Sequence, residues 1–131
     1  DCFMFYNRCF FPTELKTTKN NSLSIQRDKT EKGKMIKLCQ IEGLTNASQY
    51  KYIYAGFVIN FTDEDNKGND EVYWLSIKSF NRFLEENNKK SINRKDVVEY
   101  GAIEIDKTLK KVHYNYDIQK LLDDIIMREE G

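Results

Sequence analysis

The chain has 131 residues, 21 Lys+Arg against 21 Asp+Glu, one Pro, six Gly and three Cys. That length suits one domain, which buries about two-thirds of its unfolded surface and needs no disulfide or metal to fold. A hydrophobic fraction of 40% with 13% aromatics excludes a disordered chain. Three cysteines without a CxxC argue against a disulfide scaffold or a zinc cluster, and the zero net charge excludes a uniformly basic nucleic-acid coat.

No apolar run approaches the roughly 18 residues of a membrane span, and Asp1-Cys2-Phe3-Met4 has no signal-peptide organisation. Opening on an aspartate, the chain reads as a piece of a longer protein.

Taken in chain order, Cys2 to Tyr6 and Cys9 to Thr18 read as two strands joined by a tight turn at Asn7-Arg8. Pro12 lacks an N–H, so one edge of the second strand is expected to be unpaired there. Lys19 to Gly33 reads as a loop. Between Lys16 and Lys37 the chain carries seven Lys/Arg and only Asp28 and Glu31, so the neutral total hides a basic segment. Lys34 to Gln49 reads as a helix with a mixed face through Met35, Leu38, Ile41 and Leu44.

Tyr50 to Thr62 reads as one long strand, apolar on both faces near Ala55 to Ile59 and therefore central in its sheet. Tyr50, Tyr52 and Tyr54 alternate along it and are expected in the core. Asp63 to Asp70 is a turn. Its acids suggest a calcium loop, but Lys67 stands at the fifth position and Trp74 replaces the bidentate Glu at the twelfth.

Glu71 to Leu75 returns as a strand, and Ser76 is the N-cap of a helix carrying Ile77, Phe80, Phe83 and Leu84. Ser91 to Tyr100 reads as a short helix, with short strands at Ala102 to Ile105 and Val112 to Tyr116. Asp117 caps a final helix whose Ile118, Leu121, Leu122, Ile125 and Ile126 make an amphipathic stripe. The order β-β-α-β-β-α…α indicates an α/β domain, a mixed central sheet flanked by helices.

The chemistry concentrates in the first hairpin. With Asn7-Arg8 as its two-residue turn, Tyr6 opposes Cys9, Phe5 opposes Phe10, and Asp1 opposes Glu14. Opposed residues share a face, with Cβ atoms about 5 Å apart. Lys16, two positions beyond Glu14, shares that face too. Two carboxylates placed opposite each other repel unless a cation lies between them. A hard divalent ion is the natural compensation, since Mg²⁺ typically takes one or two carboxylates plus waters and substrate phosphates. A one-residue slip would send Asp1 to the other face. Alternatively, Glu14 and Lys16 are an incidental pair on an exposed strand.

His113 is the only histidine and is expected at a strand edge. Cys2, Cys9 and Cys39 are expected as small buried hydrophobes in a reducing compartment. Cys2 and Cys9 are not opposed in the hairpin.

Asp1 with the Glu14-Leu15-Lys16 strand resembles the PD-(D/E)xK nuclease signature. The ordered series resembles, more narrowly, the RecU family of Holliday junction resolvases. It runs through Thr17-Thr18-Lys19, Ser22-Leu23-Ser24-Ile25-Gln26, Gln40-Ile41-Glu42, Glu71-Val72-Tyr73-Trp74-Leu75, Lys90-Ser91-Ile92 and Tyr114-Asn115-Tyr116-Asp117.

The resemblance implies a restriction-endonuclease-like fold over residues 1–131. It implies a Mg²⁺-dependent endonuclease, with Mn²⁺ as the substitute ion, that cuts four-way DNA junctions as a homodimer in the cytoplasm at the nucleoid, away from membranes. Asp1 and Glu14 would hold the metal, Lys16 would act at the attacking water or the scissile phosphate, and Gln40 would support the site. Lys19, Arg27, Lys29, Lys32, Lys34 and Lys37 would lie along the DNA. The chain departs from the family in lacking its N-terminal helix and stalk, and in carrying Cys39 where His is common. Alternatively, the same fold serves as a non-catalytic DNA- or protein-binding module with an incomplete metal site.

Overall fold

The computed structural model describes residues 2–62, 70–110 and 113–130, with the backbone alone for 107–110 and 113–116. Asp1, the expected turn at 63–69 with its discounted calcium loop, Val112, and the side chain of His113 lie outside the described residues.

Two strands, β1 (Cys2–Tyr6) and β2 (Cys9–Thr18), form the first hairpin. Their register runs from Tyr6↔Cys9 to Cys2↔Thr13, as the two-residue turn demands. Asn7 and Arg8 both have positive φ, 51° and 67°, the backbone that joins strands without splaying them. Phe10 donates its N–H to Tyr52 O and accepts from Tyr54 N–H, both at 2.9 Å. Pro12, two residues on, turns its nitrogen to that same edge. The continuous ladder with the next strand begins only at Thr13, so the absent N–H of Pro12 breaks no bond.

The five-stranded sheet has the order β1-β2-β4-β5-β7. In it, β4 (Gly56–Phe61) runs parallel to β2, while β5 (Glu71–Ser76) and β7 (Ile103–Glu104) continue antiparallel. Central β4 is covered on both faces, as the apolar run from Ala55 to Ile59 requires. On one face Phe57, Ile59, Phe61, Tyr73 and Leu75 pack with helices α1 (Leu38–Ala47), α2 (Ile77–Glu86) and α3 (Arg94–Glu99). On the other, Cys9, Phe11, Val72 and Trp74 meet Leu121, Leu122 and Ile125 of α4 (Ile118–Glu130).

Phe57, Ile59, Phe80, Phe83 and Ile125 are fully buried, and each contributes about 1.5–3 kcal/mol through burial. The caps act where expected: Ser76 Oγ accepts from Ser79 N–H at 3.0 Å, and Asp117 Oδ1 from Lys120 N–H at 3.0 Å.

Six expectations need correction. The helix expected from Lys34 begins only at Leu38. Ile36 is instead drawn into a bridge with Ile25, exchanging bonds with Ser24 O and Gln26 N–H at 2.9 Å each. The loop 19–33 contains β3 (Ser22–Ser24), paired with β6 (Ser91–Asn93), so Ser91 opens as a strand and the helix waits until Arg94. The strand expected from Tyr50 starts at Gly56, because Tyr52 adopts φ 67° and turns the chain. Tyr50 and Tyr52 are accordingly exposed, at 68% and 44%, and are not core residues. Cys39 is exposed as well, and Cys2 is half-buried; only Cys9 is the buried thiol expected of all three. All three are free, in keeping with the hairpin register.

Strands β8 (Lys107–Lys110) and β9 (His113–Tyr116) form a separate hairpin.

Candidate active site

Strand parity and crossover geometry together build the site. Alternation along β2 sends Phe11 and Thr13 to the α4 face and Glu14 and Lys16 to the α1 face. The parallel ladder places Glu14 beside Phe57 and Lys16 beside Ile59, so both polar residues lie at the rim of the first core. Each is half-buried, whereas Leu15 between them is 55% exposed on the opposite face. The ladder of β1 on β2 is described as far as Cys2↔Thr13, the pair before Glu14.

Helix α1 is the crossover between parallel β2 and β4, and its first turn comes down beside Glu14. Gln40 Nε2 donates to Glu14 Oε2 at 3.2 Å. Its Oε1 accepts the Lys37 N–H at 3.1 Å, at the start of the same helix. The helix backbone thus orients the amide, and its NH₂ end is aimed at the carboxylate. A second glutamine braces the helix entrance: Gln26 Oε1 accepts from Leu38 N–H at 2.9 Å, while its Nε2 donates to Glu31 O at 3.0 Å.

Glu14, Gln40, Lys37 and Cys39 line one open cleft of about 500 Å³, continued toward the hairpin by Phe3, Phe10 and Pro12. Lys16 feels the same group. Desolvation, opposed by the Glu14 carboxylate and reinforced by the Lys37 ammonium, holds its amine below the ordinary lysine range. Of the expected site residues, Glu14, Lys16 and Gln40 are brought together; Asp1 falls outside the described residues. The described residues contain no cluster of three or more His, Cys, Asp or Glu able to hold a metal. At the cleft the Glu14 carboxylate is the oxygen donor a hard ion would use, while Gln40 turns its NH₂ toward it and acts on the carboxylate rather than on an ion.

Residues of the basic segment divide. Lys19, Lys29, Lys32 and Lys37 are exposed and Lys34 is half-buried. Lys29 and Lys37 border a groove with Gln26, Leu38, Cys39 and Glu42 at the entrance to α1. Arg27 is differently engaged. Its guanidinium donates to Leu84 O at 3.2 Å, Asn87 O at 2.7 Å and Lys89 O at 2.7 Å, satisfying carbonyls around the end of α2. The segment is tied down elsewhere by Glu31 Oε1, which accepts the Arg27 N–H at 2.9 Å, and by Asp28, which accepts from both N–H and hydroxyl of Thr30. Those bonds from Thr30 hold the Asp28 carboxyl below its usual range.

Sequence reasoning missed Cys39 and Lys37 as walls of the cleft. Their places depend on where α1 begins, and the Ile25–Ile36 bridge decides that.

The fold and site define a mixed α/β protein with a cleft of mixed lining where the first hairpin meets the crossover helix. No protein-family model matches the sequence. The SPbeta prophage-derived uncharacterized protein YotM of Bacillus subtilis (strain 168) is 33% identical over 142 aligned positions, covering all of this chain and 68% of that protein. The chain belongs to the YotM family.

Proposed function

We propose that the protein is a metal-dependent, structure-selective DNA endonuclease that resolves four-way junctions, acting as a homodimer. The observation that carries the reading is the Gln40–Glu14 contact in one cleft, with Lys16 two positions along the same strand face within the field of the Glu14 carboxylate, in the order and spacing of the Glu-x-Lys strand and following helix. Glu14, with Asp1, would hold Mg²⁺ or Mn²⁺. When bound, such an ion lowers the pKa of a coordinated water and offsets charge on a phosphodiester oxygen.

The chain's own residues supply the rest. Gln40 fixes the Glu14 carboxylate in rotation. Lys16, half-buried and two positions on, stabilises negative charge developing at the phosphate. Lys19, Lys29, Lys32, Lys34 and Lys37 hold the backbone of the arms, so binding weakens steeply with salt. Arg27 contributes by fixing the loop that presents these lysines. No helix among the described residues is long and apolar enough to cross a membrane. On this reading the protein would act at the nucleoid.

The test is cleavage of a labelled four-way junction in Mg²⁺ or Mn²⁺ against a linear duplex. Metal-dependent cutting of the junction, abolished in Glu14→Ala and Lys16→Ala proteins of unchanged melting temperature, is the expected result. Junction binding without cutting in either metal would sink the nuclease reading and leave a binding module.

A further inference from the structure

The cleft runs into an aromatic surface that the proposed chemistry does not use. Phe3 and Phe5 sit two apart on β1, on the Glu14 face of the sheet, and are 69% and 79% exposed. Both rings close on Phe10 of β2. Phe5 stacks on it at 4.6 Å with 24° between planes, and Phe3 is tilted against it at 5.5 Å and 31°. The rings form a small apolar shelf whose outer faces meet solvent on an edge strand.

The shelf is continuous with the site. Phe3 and Phe10 line the same cleft as Glu14, Gln40 and Lys37. Phe3 pairs with Pro12, two residues before Glu14, which puts it about 7 Å from Glu14 along the strand and one strand over. The cleft is therefore lined by apolar and aromatic groups together with Glu14, Gln40 and Lys37.

We infer that this shelf is a stacking platform for an unpaired nucleobase, held while the phosphate of the same strand lies at Glu14 and Lys16. The inference rests on the nuclease reading and deepens it by naming the feature of the substrate that is read: a base out of its stack at the branch point. A flat ring pair accepts any base through its π-face and carries no sequence preference. The Lys37 cation in the same cleft complements a phosphate, and charged residues are depleted from the cores of protein–protein interfaces. The occupant favoured is thus a nucleotide rather than a second copy of the chain.

The test uses the whole chain in EDTA, so that binding is read without cutting, with a four-way junction carrying 2-aminopurine at the branch point. Binding by the unaltered protein should raise the 2-aminopurine emission as the base leaves its neighbours. Phe3→Ala with Phe5→Ala should remove that rise and weaken junction binding about tenfold, while affinity for blunt duplex stays unchanged. Phe3→Leu with Phe5→Leu, which keeps the apolar surface without a ring, should behave as the alanine pair does. Both sites are exposed, and an unchanged melting temperature checks the fold.

Full activity in the leucine pair would overturn the platform and leave the nuclease intact. So would an alanine pair that binds and cuts normally but sediments as a monomer where the parent is a dimer, because the shelf would then be an interface between copies. An unaltered chain that binds no DNA overturns both readings together.

Discussion

Gln40 Nε2 and Glu14 Oε2 lie 3.2 Å apart, joining the first turn of the crossover helix to the second strand of the sheet. The bond works in one direction only. The Gln40 carbonyl oxygen is committed to the Lys37 N–H, so the amide meets the carboxylate with its donor end.

Removing that donor tests the relationship. Gln40→Ala removes this orienting donor from Glu14, and a group that orients a metal ligand typically controls about 10- to 100-fold in metal affinity or activity. The expected outcome is a loss of that size in junction cleavage, partly recovered at high Mn²⁺. Gln40→Glu sets a second carboxylate against the first and cannot donate, so it should not rescue at neutral pH. Cleavage rates across a metal titration separate the two variants from a simple loss of fold.

Lys16 offers a pH signature. Desolvation lowers its pKa, the Glu14 carboxylate raises it, and the Lys37 ammonium lowers it. In an NMR titration of the lysine ammonium groups, Lys16 should lose its proton below the range of the exposed lysines. Glu14→Gln should move it lower still, and Lys37→Met should move it back up. Between the lowered value and the ordinary lysine pKa, the unfolded chain binds a proton that the folded chain lacks, so this group's contribution to stability rises with pH across that window. A midpoint in Lys37→Met equal to or below the parent's would contradict this assignment.

Arg27 separates folding from binding within the basic segment. Three backbone carbonyls converge on its guanidinium, from Leu84, Asn87 and Lys89. Arg27→Ala should cost about 1–3 kcal/mol, because hydrogen bonds from a charged donor are lost and the part-buried carbonyls of Leu84 and Asn87 lose their partner. Arg27→Lys should recover little, since an ammonium cannot reproduce the fork. Lys29→Ala and Lys32→Ala, both exposed, should leave the melting temperature unchanged while flattening the salt dependence of DNA binding. Thermal melts run beside binding isotherms at two salt concentrations decide it.

How much of this was legible in the sequence follows from the range of the forces involved. The hairpin register could be read because a two-residue turn fixes it locally, and the pairs from Tyr6↔Cys9 to Cys2↔Thr13 obey it. The α4 stripe and the Ser76 and Asp117 caps are equally local. The three-residue strands were not legible. Ser22–Ser24 and Ser91–Asn93 exist because Leu23 and Ile92, far apart in sequence, are both fully buried in one core. Tyr50 and Tyr52 misled because alternating aromatics mimic a strand, and nothing in the composition announces a left-handed tyrosine. In the site, Glu14 and Lys16 were named from strand parity, and Gln40 through the family resemblance. The role of Arg27 was not, because its partners lie at the end of a helix some sixty residues away.

The hairpin turn itself carries the last prediction. Asn7 and Arg8 both occupy the left-handed region, where an Asn is tolerated and an Arg is strained. The turn type favours Asn-Gly, so Arg8→Gly should relieve strain at one position while keeping the other. Glycine also gains freedom in the unfolded chain, which offsets part of the benefit, and the net expected is a stabilisation of about 1 kcal/mol. Arg8 is exposed, so no packing is lost. The register of β1 on β2 would tighten with it, holding Phe3 opposite Pro12 more firmly. Chemical denaturation should show a higher midpoint with an unchanged slope. A lower midpoint would mean that the Arg8 side chain holds the turn through contacts that outweigh its backbone strain.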